Sequence, residues 1–538
     1  MLDFITYEMV ILFFFSIFVF LYYLSKIKHK ALERTGIKHL EPSIVFGNLF
    51  WTVTGREHLS KTIKRIYDSF PYEKYVAFFE FMNPTIVLKD PELIKKVMIK
   101  DFNHFQDIPF QIDEDNDPVF GRILLTLKGL KWRQMRSAIS PAFTSFKMKN
   151  MFNFMTDCAS RGISYYDKKV EESPKNFEID IKDLASRFTT DVIASTAFGF
   201  DVDSLKDPGN KFITEAMKLT SINIGLMLKF TGFRTFPKLM KFLKIRLMPE
   251  STVAYFRKLL HKTLQEREES GIHRPDMLHL LLEAKKGSLE HELEEEAPSH
   301  FDSPNELTSK TKEKKPEWTD DDLVAQAIVF IVAGQQTTST VFSFLIYELA
   351  VNSEVQDRLA EEVFAVMATS NGKLTYKTLL EMEYLDMVIS ECLRKWAPIP
   401  FNNRLCVRDY DLGPVRDGSS DHIEVKKGET VWVPVHSIHM DPLLWNNPET
   451  FDPERFSKEN IPNIKPQSFM PFGLGPRNCI GSRFALLNLK VMLFHYIWKF
   501  RFEPCSRTMI PLRISSTTLF MESRDGYWVT MRSRIPQP

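Results

Sequence analysis

At 538 residues, with hydrophobic side chains at 44%, the chain is long enough to bury a large core. Its 70 basic and 69 acidic side chains nearly cancel, to a net charge of +1, so no nucleic-acid partner is expected. The five cysteines, at 158, 392, 406, 479 and 505, are odd in number and form no CxxC pair. That argues against a disulfide framework or a zinc site and fits a reducing, cytosol-facing domain.

Residues 9–24 form an apolar run broken only by Ser16. Flanking residues 5–7 and the turn before Lys26 extend it toward the roughly 20 residues of a membrane-spanning helix. Asp3 and Glu8 precede the run, while Lys26, Lys28 and Lys30 follow it, and positive flanks stay cytoplasmic. No small-residue cleavage site follows, so residues 1–30 are expected to be an uncleaved anchor. Residues 31–50 read as a hinge linker with Pro42 and Gly47-Asn48, and residues 51–538 as one catalytic domain. Segments 75–81 and 85–88 read as a hairpin turning at Asn83-Pro84. Asp90-Pro91 should cap and start a helix. Residues 101–131 look irregular, with Phe102, Phe105, Phe110 and Phe120 set among charges; long loops of this kind are usually functional.

A helix opening at 131–135 carries Trp132 and Arg136 on one face, and residues 188–199 read as another helix. The stretch 212–248 is apolar and basic together, with Met227, Phe230, Phe233 and Phe236 beside Lys238, Lys241 and Lys244. It suits either a lid that touches the membrane surface or ordinary amphipathic helices. Residues 283–316 hold an acidic block and then a basic one, the composition of a solvated, partly disordered insertion. Thr319 and Asp322 form a capping-box pattern ahead of a helix that is apolar nearly all round, and therefore buried. In its middle stands Ala333-Gly334-Gln335-Gln336-Thr337-Thr338. A glycine and two β-branched residues weaken the helix there by about 1 kcal/mol or more. Ala333 and Thr337 share a face. The Thr337 hydroxyl either bonds back to the carbonyl four residues earlier or is offered to a ligand. Further on, Glu391 and Arg394 stand at i,i+3 and can meet.

The densest pattern is Phe472-Gly-Leu-Gly475-Pro-Arg477-Asn-Cys479-Ile-Gly481, just ahead of apolar residues at helical spacing from Phe484 to Phe494. Cys479 thus sits in a glycine-rich loop at a helix entrance, where unpaired N–H groups favour a thiolate. Glycines let the backbone come close enough for amide hydrogens to point at one sulfur, and Arg477 can meet an anion on the same side. Such a cysteine suits haem iron as a proximal ligand.

Phe472, Gly475, Arg477, Cys479 and Gly481 match the haem-binding signature of the cytochrome P-450 family. Its companions follow in the right order: Trp132-x-x-x-Arg136, Ala333-Gly334 before Thr337-Thr338, Glu391-x-x-Arg394, and Arg455 within Phe451-Asp-Pro-Glu-Arg455-Phe456. Over nearly all of residues 35–538 the chain therefore resembles these haem-thiolate monooxygenases. It looks most like the animal microsomal clan that includes the family 3 drug-metabolising enzymes.

The resemblance implies a mainly α fold with small β-sheets and a haem b whose axial iron ligand is Cys479. It implies propionate contacts from Trp132, Arg136 and Arg404, and a buried Glu391–Arg394–Arg455 cluster behind the haem. The oxygen site would lie under Ala333 and Gly334, beside Thr337. Electrons would come from NADPH through the microsomal reductase, with cytochrome b5 as a second candidate partner, at the endoplasmic reticulum membrane. Lys128, Lys131 and Arg133 are candidates for the reductase contact, or simply a solvated helix face. The substrate would be apolar and fairly large; a steroid, a fatty acid or a xenobiotic all fit. One departure stands out: Gln336 occupies the place of the family's acid. It leaves room for a haem-thiolate isomerase or dehydratase acting on hydroperoxides. A non-catalytic haem binder is the third reading.

Overall fold

The computed structural model describes residues 2–33, 35–110, 112, 114–173, 177–220, 224–271, 274, 276–286 and 318–534. Most of the charged insertion expected at 283–316 lies outside the described residues. The rest is mainly helical with three small sheets, as expected, and divides into two compact units.

One unit comprises residues 1–109, 400–438 and 466–468. Its four-stranded sheet runs in the order Tyr75–Glu80, Asn83–Leu88, Thr430–Val433, Asn402–Leu405. The middle pair is parallel and the outer pairs are antiparallel. Aromatic and β-branched residues fill the first strand, where Val76, Ala77, Phe78 and Phe79 are fully buried. The hairpin turns earlier than expected: Glu80 pairs with Asn83, so Phe81-Met82 is the loop and Asn83-Pro84 already belong to the strand. A two-residue loop needs a left-handed backbone, which Phe81 supplies with φ 55°. Asn48 and Gly47 fix the strand next to it. Asn48 Oδ1 accepts from Phe79 N at 2.7 Å, and Gly47 runs so close that a Cβ would meet Phe79 O at 2.3 Å. Asp90 caps the helix Pro91–Lys95 as expected, accepting from Leu93 N at 2.8 Å.

The N-terminal helix Leu2–Glu33 has two parts. Leu12, Phe13, Phe15 and Phe20 stand at least 62% exposed. Its last turns pack on the sheet instead. Ser25 and His29 are buried, the His29 ring lies 4.4 Å from that of Phe79, and Lys28 Nζ donates to Asn83 Oδ1 at 3.3 Å.

The other unit comprises residues 110–399, 439–465 and 469–538. Its axis is the helix Asp320–Val351, 32 residues and so about 48 Å long. The expected capping box starts it: Asp322 N donates to Thr319 Oγ1 at 3.2 Å, and Thr319 N donates to Asp322 Oδ2 at 2.8 Å. The helix packs along Ile181–Ile193, and Ser145–Glu172 packs along Ser482–Lys499. A three-stranded sheet of Glu178–Asp180, Trp528–Ser533 and Phe500–Pro504 closes the unit. The segment expected as a helix at 188–199 continues from Ile193 through a wider turn, Ala194–Phe198, and stops at Gly199. Gly199 has φ 75°, and a Cβ there would collide with Arg267 and Asp276. The 212–248 stretch forms the helices Lys211–Thr220, Ile224–Thr235 and Pro237–Phe242. Phe230 sets its ring against Phe110 and Phe120, at 5.5 and 5.7 Å.

Candidate active site

The cysteine loop is made by three backbone hydrogen bonds that fold it back on itself. Gly473 N donates to Met470 O at 3.0 Å, Asn478 N to Gly475 O at 2.9 Å, and Cys479 N to Phe472 O at 2.8 Å. The turns need left-handed backbone at Gly473 and Gly475, with φ 77° and 69°. Gly481 then opens the helix Ser482–Lys499, and its N–H bonds to the Cys479 sulfur. The expected amide-to-sulfur contact is therefore present.

The expected arginine is a different one. Arg477 lies 4.2 Å over the Trp132 ring and donates to the carbonyls of Leu127 and Leu125, at 2.7 and 3.3 Å. The cation that favours the ionised sulfur is Arg136. It clamps the loop one residue before the cysteine, donating from Nη1 to Asn478 O at 2.9 Å and from Nη2 to Asn478 Oδ1 at 2.7 Å. Burial pushes the Arg136 guanidinium down to about 10, and Cys479 opposes that. Burial also outweighs Arg136 and the Gly481 amide at Cys479 itself, whose thiol is pushed up. A metal cation bound to the sulfur would favour its ionised form.

Cys479 nonetheless keeps accessible surface. The middle of the long helix also faces space. Ala333 is exposed there, and Thr337 Oγ1 is exposed while donating to Ala333 O at 2.6 Å. Of the two roles open to that hydroxyl, the structure gives the back-bond. Phe143 connects the two places. A Cβ on Gly481 would lie 3.6 Å from it, and its ring is 5.7 Å from that of Phe330, one turn before Ala333 and Gly334. Gly334 has little room to be anything else, since a Cβ would come within 3.2 Å of Ile193 Cδ1.

Glu391 and Arg394 form the expected buried pair, with neither side chain exposed. Arg455 joins through Nε at 3.4 Å, and Asp452 N donates to Glu391 Oε1 at 2.9 Å. Burial pushes the Glu391 carboxyl up, and the Arg394 guanidinium opposes it. A histidine that the sequence does not flag ties this cluster to the cysteine loop. His439 Nε2 accepts from Met470 N at 3.0 Å, so its proton sits on Nδ1, which donates to Arg394 O at 3.1 Å. Arg394 Nη1 returns a bond to His439 O at 2.8 Å.

Arg404 belongs to the first unit. It is 3% exposed, its Nη1 donates to Asn403 O at 2.8 Å, and its Nε is buried with no partner among the described residues. Burial pushes this guanidinium down to about 10. A buried cation with no anion fits a carboxylate ligand such as a haem propionate. An accessible sulfur with an amide on it fits the iron. Lys131 is paired with Glu114 at 2.5 Å, and with Lys128, Lys238 and Lys241 it lines a cleft of about 480 Å³.

Gln336 is engaged by a residue no sequence pattern singles out. Its Nε2 donates to Glu522, which is paired with Lys182 at 2.9 Å.

The family model described as Cytochrome P450 matches residues 38–530. The chain is 40% identical to "Cytochrome P450 9e2" of Blattella germanica over 96% of both chains. It is 37% identical to "Probable cytochrome P450 9f2" of Drosophila melanogaster, over 93% of this chain and 94% of the relative. It is 35% identical to "Cytochrome P450 6k1" of Blattella germanica, over 95% and 94%. With the cysteine loop and its companions inside a match of this length, the chain belongs to the cytochrome P450 family, as a haem-thiolate monooxygenase related to insect, animal microsomal-type members.

Proposed function

We propose that this monooxygenase is anchored in the endoplasmic reticulum membrane by residues 1–30 and joined through a 31–50 hinge to a catalytic domain, 51–538, that faces the cytosol. It inserts one atom of O2 into a fairly large apolar substrate, using electrons from NADPH that arrive through the microsomal reductase. Cytochrome b5 is a second donor. The observation that carries the reading is Cys479, an accessible sulfur held by the Gly481 amide, with Arg136 beside it.

Haem b, when bound, supplies the iron at which O2 is activated, and a thiolate ligand favours O–O cleavage. Cys479 would hold the haem iron through its sulfur, with Phe472, Gly475, Arg477 and Gly481 shaping the loop around it, and Trp132, Arg136 and Arg404 would be available to the propionates. Thr337 spends its proton on Ala333 O, so its lone pairs are what it offers to a water. Gln336 cannot ionise near neutral pH, and orders water through its amide. Phe110, Phe120 and Phe230 form an apolar wall of the kind a large substrate needs. Exposed Leu228, Phe236, Leu239 and Phe242, set among lysines, support a second contact with the membrane surface. Lys128, Lys131 and Arg133 remain the candidates for the reductase.

Reconstitution with reductase, NADPH and a substrate that displaces water from the ferric iron tests this reading. The expected product carries one atom from labelled O2. Turnover of a hydroperoxide without NADPH, and none with it, would give the isomerase reading instead.

A further inference from the structure

Behind the weak point of the long helix lies a closed ring of hydrogen bonds. Gln336 Nε2 donates to Glu522 Oε1, and Thr340 Oγ1 donates to the same oxygen at 3.1 Å. Lys182 Nζ donates to Thr340 Oγ1 at 2.7 Å and to Ser339 Oγ at 3.1 Å, and its third hydrogen meets Glu522 Oε1 at 2.9 Å. Ser339 Oγ closes the ring, donating to Gln336 O at 3.2 Å. An ammonium has three donors, and all three are used here. Burial pushes the Lys182 ammonium down, and Glu522 opposes that. Asp180, the next charge felt by Lys182, caps that lysine's own helix.

The ring decides which way the Gln336 amide faces. An ionised carboxylate only accepts, so the NH2 end must turn to Glu522. The carbonyl end is left over, and no hydrogen bond reaches it among the described residues.

We propose that Glu522 is a positioning residue for Gln336: it locks the amide with its carbonyl oxygen free to accept from a water, and it holds a negative charge one side chain further back. Gln336 and Glu522 together stand where one acid would. Gln336→Glu therefore does not restore a lone acid. It sets two carboxylates in contact, and one of them stays protonated. The proposal rests on the monooxygenase reading.

Three variants of the haem-loaded enzyme test it. Glu522→Gln should lower product formed per NADPH several-fold and raise peroxide, with substrate affinity from the ferric spectrum unchanged. Lys182→Met/Glu522→Gln removes the pair together, so no stranded cation remains, and its product per NADPH should stay low. Gln336→Glu should show the carbonyl stretch of a protonated carboxylic acid by difference infrared spectroscopy, a readout that needs no turnover. Unchanged coupling in Glu522→Gln overturns the proposal. So does coupling restored in the double variant, which would mean that Glu522 only neutralises Lys182. An infrared spectrum without the acid band overturns the two-carboxylate contact. If no variant, nor the parent, consumes NADPH with reductase, the monooxygenase reading has failed, and the infrared result still stands on its own.

Discussion

Arg394 grips Glu391 through two parallel hydrogen bonds, Nε to Oε2 at 2.7 Å and Nη2 to Oε1 at 2.8 Å, where water reaches neither side chain. Paired charges so placed add little net stability, but removing one leaves the other stranded. Glu391→Ala is expected to cost roughly 3–5 kcal/mol. Because His439 joins Arg394 to Met470, the damage should reach the cysteine loop and prevent haem incorporation rather than slow turnover. The haem-to-protein ratio and the expression yield measure this; full occupancy at normal yield would show the cluster to be dispensable.

Arg136 holds both the carbonyl and the side chain of Asn478. A lysine cannot span two acceptors in that planar fashion. Arg136→Lys should cost about 1.5–3 kcal/mol in charge-assisted hydrogen bonds and weaken haem retention. Gel filtration followed by haem assay reads the loss, and undiminished retention counts against the clamp. In the same assay Cys479→His should keep some haem but lose the red-shifted Soret band of the reduced carbon monoxide complex. A variant that keeps that band has another ligand.

Removing residues 2–24 should leave a chain that still loads haem and sediments less with membranes. The cut must fall before Ser25, because Ser25, Lys28 and His29 already pack on the sheet of the first unit. A cut beyond His29 should lower the yield of folded protein. Undiminished sedimentation of the shorter deletion would locate membrane binding in the 224–242 helices alone.

Asp191 is buried, and its carboxyl is pushed up to about 7 by desolvation, against the hydrogen bonds it accepts from Ser204. The native state keeps a proton that the unfolded chain has already released above its ordinary value of 3.8. The stabilisation is therefore complete below that value and is lost as pH rises through about 7, on the order of 2–4 kcal/mol in all. Asp191→Asn should flatten the decline in urea midpoint between about pH 4 and 7. An equally steep decline in the variant assigns the effect to other groups.

What the chain discloses by reading follows from how local each feature is. The capping box at Thr319 and Asp322, the cap at Asp90, and Trp132 with Arg136 on one helix face all depend on neighbours within four residues, where helical geometry fixes the contacts. The cysteine loop, with an amide hydrogen aimed at its sulfur, is legible for the same reason. The arginine serving the sulfur is not: Arg477 is near in sequence, but Arg136, 342 residues before the Asn478 it holds, is near in space. Glu522 is 186 residues from Gln336, and His439 is 45 from Arg394; no periodicity carries such distances. The hairpin turn escaped for a different reason. Asn-Pro is a strong turn signal, yet the pairing of Glu80 with Asn83 forces a left-handed Phe81, which composition argues against.

The parallel pairing of Val87 with Trp432 has a consequence for synthesis. On the ribosome the strand Asn83–Leu88 emerges about 345 residues before its neighbour, a wait of roughly 20–70 s at ordinary elongation rates. For that time a buried-type strand, rich in Ile, Val and Leu, presents an open edge. The early hairpin is therefore expected to be prone to wrong pairing until the late segment arrives. Slowing translation between residues 109 and 400 should lower the yield of soluble chain more than slowing it after 438.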